Sequence, residues 1–386
     1  VLVFFIVIQG ATFMQFVDIT RQYAHQKHAI DKRVARVFAH ARFILGPEVM
    51  ELEEALARDV GCSHCVSCGS GTDALVMALM ALDIGPGDAV ITTPFTFVAT
   101  AEAIALVGAR PVFTDIEPDT FCMDAGALER TIAGYTGTDT LRAVIPVDLF
   151  GQIPDYDRID RICAPYGITV LADAAQSFGA VLEGRRAGSL GHMAATSFFP
   201  AKPLGCFGDG GAVFCHDEER ARLLRSLRVH GMGTNKYENV RIGINGRLDT
   251  LQAAVLLAKL SCLDEELARR RAIAERYNEA LAPFFTTPRV REDCESAWAQ
   301  YSLLHPARDA ICEQARQHGV PTAIYYPIPL HMQKAFAGYG YTAGDFPVSE
   351  RTAGHIFSIP IDPYLTDEEI DTVITTLIAA AQRHEA

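Results

Sequence analysis

Short apolar runs alternating with helical segments constrain this chain more than any other feature of its sequence. Between residues 89 and 216, AVITTPF, ARPVFTDI, LRAVIPVDLFG, ITVLADAA and GAVFCH read as strands, and AEAIALVG between the first two reads as a helix. Strands of nearly continuous apolar character, joined by helical crossovers, predict a mostly parallel sheet with both faces covered. Ligands on such sheets bind beyond the carboxyl ends of the strands. Phe97 follows the first run, Asp148 and Gly151 the third, and Asp173 and Gln176 the fourth.

The flanking segments extend this pattern. Residues 31–60 predict a helix, a turn at Gly46 and Pro47, and a second helix over EVMELEEALARDV. In CVSCGSGTDALVMALMALDIGPGD a glycine-rich loop feeds a helix that GPG ends, and the unpaired amides of such a helix start suit an anion. Arg247–Leu281 reads as one long helical bridge, and the chain beyond it as a smaller α/β domain with the loop YYPIPLH. The expected division is an apolar N-terminal extension or arm at 1–13, a large domain at 14–264 and a small domain at 265–386. In a chain of 386 residues there is room for both cores.

The apolar start, VLVFFIVIQGATFMQFV, is at the lower limit of a membrane span. Gln9, Gly10, Thr12 and Gln15 interrupt it and no basic segment precedes it, so a start-site extension is expected, with Met14 as the start. A packing arm and membrane attachment are the alternatives. With 34 basic against 47 acidic residues the net charge is −13, which gives no general field for nucleic acid or an anionic membrane. Ten cysteines spread over so long a chain predict cytoplasmic thiols rather than a disulfide scaffold. CSHCVSC has part of an iron–sulfur spacing, but position 72 is Thr and no matching pair follows, so no metal is expected.

Three stretches carry chemistry. GSGTDA matches neither the dinucleotide nor the P-loop fingerprint, and suits a short phosphate cradle: Gly71 for close approach, Thr72 as donor, Asp73 to orient the turn. A plain helix cap is the alternative. In VLADAAQSFGA, Asp173 follows apolar residues, where a carboxylate needs a cation such as a protonated pyridine nitrogen, or else is a structural acceptor. In TSFFPAKPLGCFGDGGAVF, Lys202 stands between aromatics and a glycine turn that favour the neutral amine a Schiff base needs, with Ser197 as a second phosphate hydroxyl. A structural lysine is the alternative there.

GSGTDAL, TPFTFVATAEA, PVDLFGQ, ADAAQSFGA, TSFFPAKPLGCFGDGGA and NGRLDTLQAA resemble the motifs of the DegT/DnrJ/EryC1/StrS family of nucleotide-sugar aminotransferases, over residues 14–380. The resemblance implies a transferase of fold type I, aspartate-aminotransferase-like, dependent on pyridoxal 5′-phosphate (PLP). Its α/β large domain would carry a mostly parallel central sheet flanked by helices, with a smaller C-terminal α/β domain, in a homodimer whose active sites use both subunits. By resemblance Lys202 carries the cofactor, Asp173 pairs with its pyridine nitrogen, Gln176 lies at its ring hydroxyl and Phe97 stacks on its ring. Gly71, Thr72 and Ser197 hold the phosphate, and Asn245 reaches the partner subunit's phosphate.

The implied reaction moves an amino group from L-glutamate, through pyridoxamine 5′-phosphate (PMP), to the ketone of a UDP-linked oxo-sugar. PTAIYYPIPLH most resembles the subgroup that aminates UDP-2-acetamido-2-deoxy-3-oxo-glucuronate at C3, toward surface polysaccharides such as lipopolysaccharide O-antigen. Relatives that aminate C4 of a nucleotide-linked 4-keto-6-deoxyhexose share YPxPxH. Family dehydratases carry histidine in place of the lysine that this chain keeps, and a non-catalytic nucleotide-binding or regulatory homologue would have little reason to keep Lys202 and Asp173. Arg247 is the candidate reader of the sugar carboxylate, with Tyr326 or His331 sharing the role, unless it forms a dimer or helix-cap ion pair.

Overall fold

The apolar runs assemble into one seven-stranded sheet in the computed structural model, which describes residues 14–235 and 237–384. The extension expected at 1–13 lies outside the described residues. Two helices, α1 (Ile19–His40) and α2 (Pro47–Val60), come first, and Pro47 opens the second where its missing N–H costs nothing. The strands follow as β1 (His64–Cys68), β2 (Asp88–Thr92), β3 (Arg110–Phe113), β4 (Thr140–Ile145) and β5 (Thr169–Asp173). A ribbon of β6 (Val181–Leu182) and β7 (Arg185–Arg186) precedes β8 (Met193–Ser197) and β9 (Gly211–Cys215). The order across the sheet is β1-β9-β8-β5-β4-β2-β3. The pairs from β8 through β3 are parallel, and β9 runs antiparallel to both of its neighbours.

Helices cover both faces, as the two-sided apolar character of the strands requires. They are α3 (Gly71–Ala81), α4 (Ala99–Leu106), α5 (Ala125–Ala133), α6 (Tyr156–Cys163), α7 (Glu218–Leu227) and α8 (Thr250–Leu260). Alternation along β2 and β5 sorts the side chains: Ile91 and Val170 pack with Leu52, Leu128, Ile159 and Leu256, whereas Val90 and Leu171 pack with Met77, Ile104 and Leu224. Both layers are closed to water.

The expected single helix over 247–281 is two. It breaks after Leu260, where the Ser261 hydroxyl takes the Ala258 carbonyl, and resumes as α9 (Leu263–Leu281). After β10 (Cys294–Glu295), a separate core gathers Tyr277 and Leu281 of α9 with β11 (Tyr301–Leu304), α10 (Arg308–Gln317), β12 (Ile356–Ile359) and α12 (Asp367–Gln382); α11 (Pro347–His355) leads into β12. Strands β11 and β12 pair antiparallel. The N-terminal helix is clamped to this lobe by Arg21, whose guanidinium holds both oxygens of Glu369 at 2.6 and 2.8 Å. Among the described residues, no helix is long and apolar enough to cross a membrane.

Candidate active site

At the start of α3, Ser70 is fully extended and its hydroxyl accepts the Asp73 amide at 3.0 Å. The amides of Gly71 and Thr72 have no partner within the helix and point out of its positive end. Ser197, at the end of β8, lies directly against this turn: a Cβ on Gly71 would sit 2.7 Å from the Ser197 Cβ. Gly211 meets the turn from β9, where a Cβ would lie 2.3 Å from the Ser70 carbonyl oxygen. Glycine at 71 and 211 is therefore a packing requirement, and the pocket so shaped offers two amides, the Thr72 hydroxyl and the Ser197 hydroxyl to one anion.

Asp173 ends β5 and is 4% exposed. One of its oxygens accepts the Thr100 hydroxyl at 2.8 Å, and the other the Ala175 amide at 3.2 Å. Burial pushes its carboxyl pKa up, while those two donors and the attraction of Lys202 oppose the rise. Lys202 is partly buried, and removal of its amine from water lowers the pKa from 10.5 to about 8, against the pull of Asp173. The two residues thus share one low-dielectric site.

The loop carrying Lys202 is fixed from below. Its own amide donates to the Phe199 carbonyl at 2.9 Å, Cys206 N–H to Phe198 at 2.8 Å, and Phe207 N–H to Gln252 of α8 at 2.8 Å. The buried Lys259 of α8 donates to the Gly205 carbonyl and lies over the Phe207 ring.

Gln176 is oriented by two bonds: its Oε1 accepts the Phe150 amide at 2.9 Å, so its Nε2 donates to the Tyr326 hydroxyl at 3.2 Å. The Tyr326 ring packs 6.1 Å from Phe95 and 6.3 Å from Phe97, and burial pushes its phenol pKa well up, so it stays protonated. Phe97 itself is 55% exposed on the open side. Asn245 is exposed, in a segment tied to the turn that starts α3 through Gly246, whose carbonyl accepts the Gly69 amide at 3.0 Å. Arg247 follows, makes no ion pair among the described residues, and has a buried Nε without a partner.

His331 is placed differently from the others. It is 2% exposed, bonded through Nε2 to Glu350 at 3.0 Å and packed on the Phe346 ring, with Nδ1 unpartnered. Sequence reasoning missed Thr100 and Phe150, the donors that orient Asp173 and Gln176. They lie inside the quoted TPFTFVATAEA and PVDLFGQ, but only the fold brings them to their acceptors. The CSHCVSC thiols Cys65 and Cys68 are buried on β1, and among the described residues no group of three or more His, Cys, Asp or Glu side chains could hold a metal.

The DegT/DnrJ/EryC1/StrS aminotransferase family model matches residues 24–378. The chain belongs to this family. It is 46% identical over 369 residues to the UDP-2-acetamido-2-deoxy-3-oxo-D-glucuronate aminotransferase of Pseudomonas aeruginosa, covering 95% of this chain and 99% of that one. A crystal structure of a family aminotransferase from Brucella abortus superposes with a TM-score of 0.92 at 46% identity, over 95% of this chain and 99% of that one. A Bacillus subtilis protein solved with bound cofactor PMP gives 0.89 at 28% identity, over 97% and 86%.

The fold is that of the PLP-dependent aminotransferases of fold type I, and the chain is an aminotransferase that uses PLP and PMP. Its residues fit the cofactor: a helix-start turn packed so closely on Ser197 that position 71 admits no side chain, a buried carboxylate, and an amine whose pKa burial lowers to about 8. When bound, PLP supplies an electron sink beside the carbon that gains or loses the amino group.

Proposed function

We propose that this aminotransferase moves the amino group of L-glutamate to C3 of UDP-2-acetamido-2-deoxy-3-oxo-D-glucuronate, in the cytoplasmic assembly of a surface polysaccharide. The observation that carries this reading is Arg247. Its guanidinium sits two residues from Asn245, in the segment bonded to the phosphate turn, with its Nε buried and, among the described residues, no carboxylate paired with it. A planar guanidinium left unpaired beside a substrate site suits a ligand carboxylate, and a glucuronate brings one. The similarity to the Pseudomonas aeruginosa enzyme supports the same choice.

In this reading Gly71, Thr72 and Ser197 hold the cofactor phosphate, Asp173 keeps the ring nitrogen protonated, Gln176 faces the ring hydroxyl and Phe97 covers the ring. Lys202 binds the cofactor covalently between turnovers. Once displaced by the donor, its Nζ accepts the α-proton of glutamate, and in the second half-reaction it returns a proton to the sugar carbon that held the ketone. An amine with a pKa near 8 can do both at neutral pH. Arg247 and the Tyr326 hydroxyl contact the sugar, while His331, bonded to Glu350, shapes the loop that carries Tyr326 and stands second to them as a contact. A homodimer completes the site: Ile242, 85% exposed just before Asn245, supports this segment reaching into a second copy.

A panel of 3-oxo and 4-oxo UDP- and dTDP-sugars with L-glutamate tests the proposal. Preference for the 3-oxo uronate is expected, and preference for a neutral 4-keto-6-deoxyhexose would establish the C4 reading instead.

A further inference from the structure

Asp148 has no task in that chemistry, yet it lies beside Asp173. The last residues of β4 lead into it, Val147 bridges to Asp173 in parallel register, and the Asp148 amide donates to the Asp173 carbonyl at 3.0 Å. Its carboxyl is 1% exposed. One oxygen meets the Tyr156 hydroxyl at 2.8 Å and the other the Ser177 hydroxyl at 2.5 Å. The titratable groups around it are Tyr156 at the start of α6, Asp173 on β5, Cys122 in the segment before α5, and Cys294 on β10. None of these is a cation, and among the described residues Asp148 makes no ion pair.

Two carboxylates in one dry region with a single lysine cannot both hold a charge cheaply. Asp173 has Lys202, a hydroxyl and an amide; Asp148 has two hydroxyls and the field of Asp173. A neutral carboxyl satisfies the same two hydroxyls, donating to one and accepting from the other. Burial and Asp173 together hold the Asp148 pKa up at about 7, against the two hydroxyl contacts that pull it down.

We propose that Asp148 is a positioning residue: in its protonated form it braces the turn from Asp173 to Ser177, and so leaves Asp173 as the anion that meets the cofactor's ring nitrogen. The turn it grips through Ser177 also carries Gln176, so one buried carboxyl sets the level of two cofactor-facing side chains. When Asp148 ionises, its charge strengthens the hold of the whole site on a proton.

The test compares the wild type with Asp148→Asn, which keeps both hydrogen bonds without a titrating group, and with Asp148→Ala, which loses both. Each protein is first confirmed folded by circular dichroism. In the cofactor-free wild type at pH 6, infrared spectroscopy is expected to find a carboxylic-acid carbonyl band that Asp148→Asn lacks. PLP should bind Asp148→Asn within about twofold of the wild type at pH 6 and Asp148→Ala about tenfold or more weakly, the loss expected for a released buried bracing contact. The pH midpoint of the bound cofactor's visible absorbance should fall by about half a unit or more in Asp148→Asn, because no anion forms at position 148 to retain the proton. Absence of the band, binding by Asp148→Asn as weak as by Asp148→Ala, or an unchanged midpoint would each overturn the proposal. No sugar substrate is involved, so the result is independent of the substrate reading.

Discussion

Replacing Lys202 with methionine should stabilise the cofactor-free protein while abolishing turnover. The lysine is buried enough to lower its pKa from 10.5 to about 8, so the folded chain must give up solvation of a charge that the unfolded chain keeps. The unfolded state therefore binds the proton more tightly, and the penalty is complete below the folded pKa, fading as pH rises toward the unfolded one. That depression corresponds to about 3 kcal/mol at pH 7. Methionine has a similar length and no charge to desolvate. The attraction of Asp173 is already contained in that depression and is not a further cost, so the expected stabilisation is about 2–3 kcal/mol at pH 7. Urea unfolding of both cofactor-free proteins at one concentration, from pH 6 to 9.5, measures the difference. The advantage should shrink to about half by pH 9.5. A less stable methionine variant at pH 7, or an advantage that does not change with pH, would refute a lysine held near neutrality by burial.

Three further outcomes follow from the same geometry. Asp173→Asn should still bind PLP but lose about 100-fold or more in the rate of each half-reaction, since an amide cannot keep the ring nitrogen protonated; single-turnover absorbance measures it. Gly71→Ala should weaken PLP binding by about tenfold or more and also lower folding stability, because the new Cβ would stand 2.7 Å from the Ser197 Cβ and push β8 and the turn apart; fluorescence titration of the cofactor on the folded variant reads the binding loss. Arg247→Lys should keep the glutamate half-reaction and lose about 2–5 kcal/mol of transition-state stabilisation with the uronate, but much less with a neutral oxo-hexose. Equal losses on both sugars would remove Arg247 as the carboxylate reader.

Five of the seven strands were legible because they are buried on both faces and therefore read as unbroken apolar runs, three of them followed by residues that apolar packing does not explain; β8, whose MAATS is small and polar at its end, was not among them. Asp173 and Lys202 announced themselves in this way, as a charge following VLA and a charge between aromatics and glycines. Pairing across the sheet was not legible. The Thr100 hydroxyl is 73 residues from the carboxylate it serves, and only the β2-β4-β5 order brings them together. The break at Ser261 was hidden for a different reason: helix propensity on both sides is high, and a hydroxyl's competition for a backbone carbonyl leaves no periodic signature. The direction of His331 was not legible either: its motif position is informative about the loop, whereas its orientation depends on Glu350, 19 residues away.

The parts of the site that the sequence left scattered are held by buried polar contacts at a distance from the reacting atoms. Glu53 of α2 accepts the Ser67 amide at 3.0 Å and hydroxyl at 2.7 Å, and pairs with Arg228, which also donates to the Ser67 carbonyl at 2.8 Å. The Arg228 carbonyl in turn accepts the Gly246 amide at 3.1 Å, and Gly246 accepts Gly69. An ion pair of this kind adds little net stability over apolar packing, but breaking one partner leaves a buried charge and is costly. Its consequence here is geometric. The strand that leads to the turn at the start of α3 is held by the Arg228 guanidinium, and the segment that carries Asn245 and Arg247 by the backbone carbonyl of the same residue, so one buried arginine fixes the turn and the candidate sugar contact relative to each other.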